Sequence, residues 1–226
     1  MKARQRLRRW HVWLGWIVGL PFLVWTISGL AMVARPIEVV RGEGLIAPAA
    51  PLPAGLVPVP PAIGPRPVAS LLLEQRPDGP RWIVKFVGGE ARLADAATGR
   101  LLPPLTATEA ARHVAARYTG QARIAAIDRT SAGTPPLDLR REVEAWRVTM
   151  SDGTRFYLDA ATGDVLARRT RWWRFYDLMW GLHIMDLETR EDAHNPLLIG
   201  FAVAALLATL MAVVLLPMTL RRRRRP

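Results

Sequence analysis

Residues 12–34 and 196–220 carry no charged side chain, and each run exceeds the roughly 20 residues that cross a bilayer core of about 30 Å. These two stretches constrain the chain most. They predict a membrane helix near each end and leave residues 35–195, the size of one compact domain, between them. The charge distribution agrees. Lys2, Arg4, Arg6, Arg8 and Arg9 precede the first run, and Arg221 to Arg225 follow the second. These ten account for most of the formal charge of +12, so the middle is close to neutral. Basic residues that hug the ends of apolar runs follow the positive-inside pattern, which puts both termini in the cytoplasm and the middle outside. That placement argues against nucleic acid as a partner and for the lipid bilayer, with both tails drawn to anionic headgroups.

The basic start also fits a signal peptide, but the apolar run is longer than the usual 7–15 residues and lacks a small-x-small cleavage site. A retained helix is expected. The chain has no cysteine, which excludes disulfides, thiolate metal sites and a cysteine nucleophile.

The middle contains a repeat. Asp95-Ala96-Ala97-Thr98-Gly99 recurs 64 residues later as Asp159-Ala160-Ala161-Thr162-Gly163. Trp82-x-Val84 and Trp146-x-Val148 precede the two copies at the same spacing, and Leu102 and Leu166 close them. A repeat of this length predicts a duplicated supersecondary unit. The first half reads as strands over 68–73, 81–87 and 91–94, with a turn at Gly88-Gly89. The second opens on Thr106-x-x-Glu109, a capping box, and Ala110, His113, Val114 and Tyr118 follow at helical spacing. Strands are expected at 124–127, 144–150 and 154–159, with a hairpin turn at Asp152-Gly153. The fold class is α+β, antiparallel hairpins plus a helix, carried by two transmembrane helices.

The predicted organisation is a basic tail (1–11), a membrane helix (12–34), a proline-rich linker (35–67), a tandem domain (68–170), an amphipathic interfacial helix (171–187), a connector (188–195), a second membrane helix (196–220) and a basic tail (221–226). Eight prolines between Pro48 and Pro67 favour extended chain, which would hold the domain off the membrane. In 171–187, Trp172, Trp173, Phe175, Tyr176 and Trp180 are the aromatic residues favoured at a membrane interface. Arg171, Arg174, Asp177 and Gly181 form one polar stripe.

The two half-repeats, each closed by Asp-Ala-x-Thr-Gly-x-Val/Leu-Leu, resemble the PepSY domain, the second with the preceding helix that opens Glu109-Ala110-Ala111. Arg9-Trp10-His11-Val12-Trp13-Leu14-Gly15, then Gly19 and Ser28-Gly29-Leu30, resemble the opening of the PepSY-associated transmembrane family. Trp180-Gly181-Leu182-His183 adds to that likeness. The resemblance implies a bacterial inner-membrane protein with a periplasmic module that binds or restrains partner proteins. Larger relatives with four or more membrane helices are haem-containing ferric-siderophore reductases; this chain departs from them in having two spans.

Three kinds of candidate site follow. The Asp-Ala-Ala-Thr-Gly copies could be ligand loops, but one carboxylate each is too few for a metal, and turn chemistry explains them: Asp bonds the backbone and Gly supplies positive φ. His11, His183 and His194 are the candidate ligands for a b-type haem, while His113 reads as structural. His11 and His183 should lie about a bilayer thickness apart, so one chain does not build a bis-histidine site from them; a second copy, another subunit or a His–Met pair with Met32 would be needed. His183 shares a helix face with Trp172, Tyr176 and Trp180, where an imidazole is either hydrogen-bonded structure or a ligand. Gly15, Gly19 and Gly29 (with Thr26), and Gly200, Ala204, Ala208 and Ala212, form rows of small residues that let membrane helices approach, within the chain or in a homodimer. No nucleophile–base pair, phosphate loop or zinc spacing occurs. The expectation is a non-enzymatic module that holds a membrane or periplasmic protein partner; the alternative is a haem-binding subunit for iron or ferric-siderophore reduction.

Overall fold

The computed structural model describes residues 2–223; Met1 and residues 224–226 of the basic tails lie outside the described residues. The chain divides into two units, one made of residues 1–36 and 175–226, the other of residues 37–174.

The first unit is helical. Helix α1 spans Lys2–Val33 and α5 spans Pro196–Arg223, and the two pack together. Within them Arg4–Val33 and Pro196–Pro217 are long and apolar enough to cross a membrane. Both helices continue through a proline, Pro21 and Pro217. Thr26 and Thr209 donate their hydroxyls to the carbonyls of Phe22 and Ala205 one turn back, which satisfies a polar group without a partner helix.

Helix α4, Arg171–His183, contributes its second half to this unit. It stops four residues short of the expected end. Asp186 N–H donates to Gly181 O (2.9 Å) and Met185 N–H to Leu182 O (3.3 Å), with Met185 left-handed at φ 57°, so a Schellman motif closes it. Asp177 and Gly181, expected on one polar stripe of an interfacial helix, are buried. The Asp177 carboxylate takes a 2.7 Å ion pair from Arg190, whose stem packs over Gly181.

The second unit is α+β. One sheet has the order β1-β2-β3 (Val68–Arg76, Gly79–Phe86, Ala91–Asp95), the other β4-β5-β6-β7 (Ile124–Thr130, Ala145–Met150, Arg155–Asp159, Val165–Arg169), all antiparallel. Helix α3, Ala107–Ala115, begins with the full capping box of Thr106 and Glu109. It lays Ala110 and Val114 on Val148, Phe156 and Leu158 of the second sheet. Alternation along β6 sends Tyr157 to the opposite face, against Leu139, Ala145 and Ala167.

The repeat is thus two unequal copies. The first has no helix in the place of α3. Its fourth strand is reduced to one bridge, Ala94 to Leu101, where the second copy has β7.

The proline-rich segment is not a free spacer. Helix α2 (Ile37–Arg41) and a 3-10 turn (Glu43–Leu45) precede it; Val40 is fully buried, and Ile46 joins the core under α3. Two of its backbone donors reach the first repeat turn: Val59 N–H bonds Ala96 O and Ala62 N–H bonds Gly99 O, each at 2.8 Å. Prolines block their own positions as donors but leave the residues between them free to bond.

Candidate functional site

Both Asp-Ala-Ala-Thr-Gly segments are turns whose polar atoms are used internally. Asp95 Oδ1 accepts from the N–H groups of Ala97 and Thr98 at 3.0 Å, and Asp159 Oδ1 from those of Ala161 and Thr162 at 2.8 Å. Gly99 and Gly163 sit at φ 72° and 71°, where glycine carries no steric cost. Each turn also clasps an incoming chain. Val59 N–H bonds Ala96 O while Val59 O accepts the Trp82 indole N–H, both at 2.8 Å. In the second copy Leu105 N–H bonds Ala160 O while Leu105 O accepts from Trp146, again both at 2.8 Å. The tryptophan and the turn therefore recur together because they hold one strap between them. Arg76, at the end of β1 and 5 % exposed, ties the copies by ion-pairing with Asp164 of the second turn.

His113 lies beneath that turn: a Cβ on Gly163 would come within 2.8 Å of its Nδ1. Burial lowers its pKa, helped by Arg76, against the opposing pull of Asp78 and Glu109. This is a neutral core imidazole.

His183 is fastened to α1. Its ring stacks on Trp25 (centroids 4.5 Å apart, 21° between planes), and its Nδ1 lies 3.0 Å from Trp25 O and 3.1 Å from Ser28 Oγ. A carbonyl only accepts, so Nδ1 carries the proton in this contact. Gly29 makes room for the ring, since a Cβ there would lie 3.2 Å from His183 Cε1. The small residues of α1 thus divide by task. Gly29 admits an imidazole rather than a helix backbone.

His11, Gly15, Gly19, Ala208 and Ala212 surround a cavity of about 230 Å³ between α1 and α5, with Ala205 and Thr209 completing the α5 wall. These small residues line the two sides of the cavity, and a Cβ on Gly15 or Gly19 would meet nothing within 4 Å. Gly200 likewise has open space, and Ala204 is half-buried. His11 Nδ1 is buried there without a hydrogen-bond partner.

His11 and His183 do not meet. Fourteen residues of α1 separate His11 from Trp25, about 21 Å of helix. His194 is exposed on the turn into α5, its N–H donating to Asp192.

The connector 188–195 is organised by one carboxylate. Asp186 accepts from the N–H groups of Glu188, Thr189, Glu191 and Asp192. The Thr189 hydroxyl, with those backbone donors, holds its pKa far below the usual carboxylate range. Asn195 then caps α5 by accepting from Leu198 N–H, while its amide donates to Ile184 O. The sequence pattern gave no role to Asp186 or Arg190, and it placed Asp177 only on a polar stripe and Ser28 only in the family likeness. The available signal was Asn195-Pro196, an N-cap followed by proline at the first helical position.

Comparison with protein-family models, with curated proteins and with solved structures finds no match to this chain.

Proposed function

We propose that the chain is a two-pass protein of a bacterial inner membrane, with both termini cytoplasmic and residues 37–174 presented in the periplasm as a PepSY-like, non-enzymatic binding module for a membrane or periplasmic protein partner. The observation that carries this reading is the internal use of the repeated motif. Both turns direct their carboxylates and carbonyls at their own backbone and at one strap each, which is how a duplicated scaffold behaves. The exposed apolar side chains of α1 and α5, among them Trp13, Trp16, Leu20 and Leu206, support a lipid environment.

The absence of native cysteine makes topology directly measurable. In spheroplasts, Thr134→Cys should react with a membrane-impermeant maleimide, and Gln5→Cys should react only after permeabilisation. The reverse pattern would sink the proposed orientation.

The second reading, a haem-binding subunit for iron or ferric-siderophore reduction, has one observation in its favour. Histidines that ligate metals usually donate their other ring N–H to a carbonyl or carboxylate, as His183 does to Trp25. His183 is therefore the residue that would hold a haem, which would supply one-electron chemistry there; His11 lies too far along α1 to join it. Detergent-purified protein produced with ample haem should be colourless on the module reading. A Soret band with sharp reduced α and β bands, lost in His183→Ala, would replace it with the redox reading.

A further inference from the structure

Strand β1 closes one side of the first sheet. The ladder fixes which of its main-chain groups point outward. Ala96 N–H donates to Pro80 O and Phe86 N–H to Glu90 O, so the even-numbered residues of β2 turn their main chain away from β1. Alternation leaves Arg81, Ile83 and Lys85 to bond β1, opposite Glu74, Leu72 and Ser70. The N–H and C=O groups of Leu71 and Leu73 therefore point away from the sheet, and among the described residues they meet no hydrogen-bond partner.

Exposed apolar side chains flank that open edge. Leu71 is 45 % and Leu72 51 % exposed, although Leu72 stands opposite Ile83, which is 2 % exposed. An unpaired edge is a template for another strand, and proteins blunt such edges with charge, proline or a bulge. The bulge of β1 lies at its start, between Val68 and Ser70, and leaves the leucines uncovered.

The repeat supplies a comparison. Strand β4 holds the same edge of the second sheet. Leu72 and Leu73 stand opposite Ile83 and Trp82, and in the same places Asp128 and Arg129 stand opposite Arg147 and Trp146. Asp128 pairs with Arg147 at 3.2 Å, and Arg129 pairs with Glu144. The second copy thus carries charge where the first carries leucine. The unit folds with either, so the leucines of β1 answer to something beyond it.

One pairing satisfies the edge. When two β1 strands meet antiparallel across a two-fold axis at Leu72, Leu71 of each stands opposite Leu73 of the other. Both residues have outward main chain, so each such pair exchanges two N–H···O=C bonds. Leu72 meets its own counterpart, Glu74 stands opposite Ser70, and no like charges face each other. An axis at Leu73 would set Leu72 against Glu74, and an axis at Leu71 would set Leu72 against Ser70. An edge that matches itself fits a second copy of the chain, since an isologous interface uses the same patch twice.

We propose that β1 is a self-association edge, through which two copies of the chain join their first sheets antiparallel about a two-fold axis at Leu72. The pairing concerns the 37–174 unit alone and does not rest on which side of the membrane that unit occupies.

Disulfide trapping of the full chain in isolated membranes tests it, with copper(II)-phenanthroline as an oxidant that crosses bilayers. At the centre of the pairing the two Cα atoms lie about 4.5 Å apart, within the disulfide range of about 4.4–6.8 Å. Leu72→Cys should therefore run mostly as a disulfide-linked dimer on a non-reducing gel. The two Leu71 Cα atoms would lie roughly 9 Å apart, and the two Ser70 Cα atoms further still. Leu71→Cys and Ser70→Cys should each give less than about a tenth of the Leu72→Cys yield. Asp128→Cys, in the same place on β4, reports collision alone and should match them. Leu71→Lys added to Leu72→Cys should cut the trapped dimer at least about tenfold, because a charge on the edge opposes pairing. All these positions are exposed, so the variants keep the fold. No dimer from Leu72→Cys, an equal yield from Ser70→Cys or Asp128→Cys, or a band that joins Leu72→Cys to a different protein overturns the proposal.

Discussion

Asp138→Ala should lower the stability of the 37–174 unit by about 3 kcal/mol, a large share of the total for a small domain. Asp138 sits on the loop that follows β4, is 9 % exposed, and serves two partners from that position. Tyr157 donates its phenol to Oδ1 at 2.6 Å, and Arg155 donates to Oδ2 at 3.0 Å. Removing the carboxylate strands a phenol that has no exposed surface, while Arg155, about one-third exposed, can turn to water. The larger part of the loss therefore comes from Tyr157. Tyr157→Phe should cost only about 1 kcal/mol, because the carboxylate keeps its arginine, and the double variant should lose less than the two singles combined. Burial, followed by the hydrogen bond to Asp138, raises the Tyr157 pKa from 10.0 to about 12. A raised folded-state value stabilises the fold fully below the unfolded value and loses that contribution as pH climbs through the folded one. Wild type should therefore lose stability between about pH 10 and 12, and Tyr157→Phe should lack that limb. Pulse proteolysis of the micelle-solubilised chain across a urea series reads both effects. An Asp138→Ala midpoint equal to wild type would refute the assigned role of this carboxylate.

The contrast between what was legible in the sequence and what was not follows the range of the interactions. Helices α1 and α5, the capping box at Thr106, the turns at Gly99 and Gly163 and the α+β class rest on local pattern and are found where expected, except that α1 starts at Lys2 and takes in the basic segment read as a tail. Composition misled for residues 35–67, because proline density suppresses local regular structure but says nothing about whether Val59 and Ala62 find acceptors elsewhere. The stripe on α4 was visible. Its inward side was not, since Arg190 lies 13 residues from Asp177 and reaches it only after the Asp186 turn folds back. His183 stood out as an imidazole among aromatics, but its partners Trp25 and Ser28 are more than 150 residues away, and no spacing rule connects them. The inequality of the two copies was legible in part, since a helix was expected only in the second. Pro60 and Pro61 follow the first strap where Thr106 and Ala107 follow the second, and that difference decides which copy grows a helix.

That difference also makes the two repeat glycines unequal, and Gly99→Ala should be far more damaging than Gly163→Ala. A Cβ on Gly99 would lie 2.3 Å from the backbone oxygen of Pro60 and 3.2 Å from Val59 Cγ1. On Gly163 the nearest atoms are side-chain atoms, His113 Nδ1 at 2.8 Å and Leu105 Cδ2 at 2.9 Å. Both positions share the cost of placing an L-residue at positive φ, about 1–2 kcal/mol. Only at Gly99 must a proline-stiffened main chain move as well. Its displacement breaks the bonds from Val59 N–H to Ala96 O, from Ala62 N–H to Gly99 O and from the Trp82 indole to Val59 O. At about 1 kcal/mol for each bond, and with the positive-φ cost added, the strap should be released by more than about 3 kcal/mol. Hydrogen exchange of peptides covering residues 57–63 should then accelerate by more than about 100-fold in Gly99→Ala and stay near the wild-type rate in Gly163→Ala. Equal protection in the two variants would show that the strap and the turn are not coupled. The joint recurrence of the tryptophan and the Asp-Ala-Ala-Thr-Gly turn would then lose its physical cause, since that cause is the strap they hold between them.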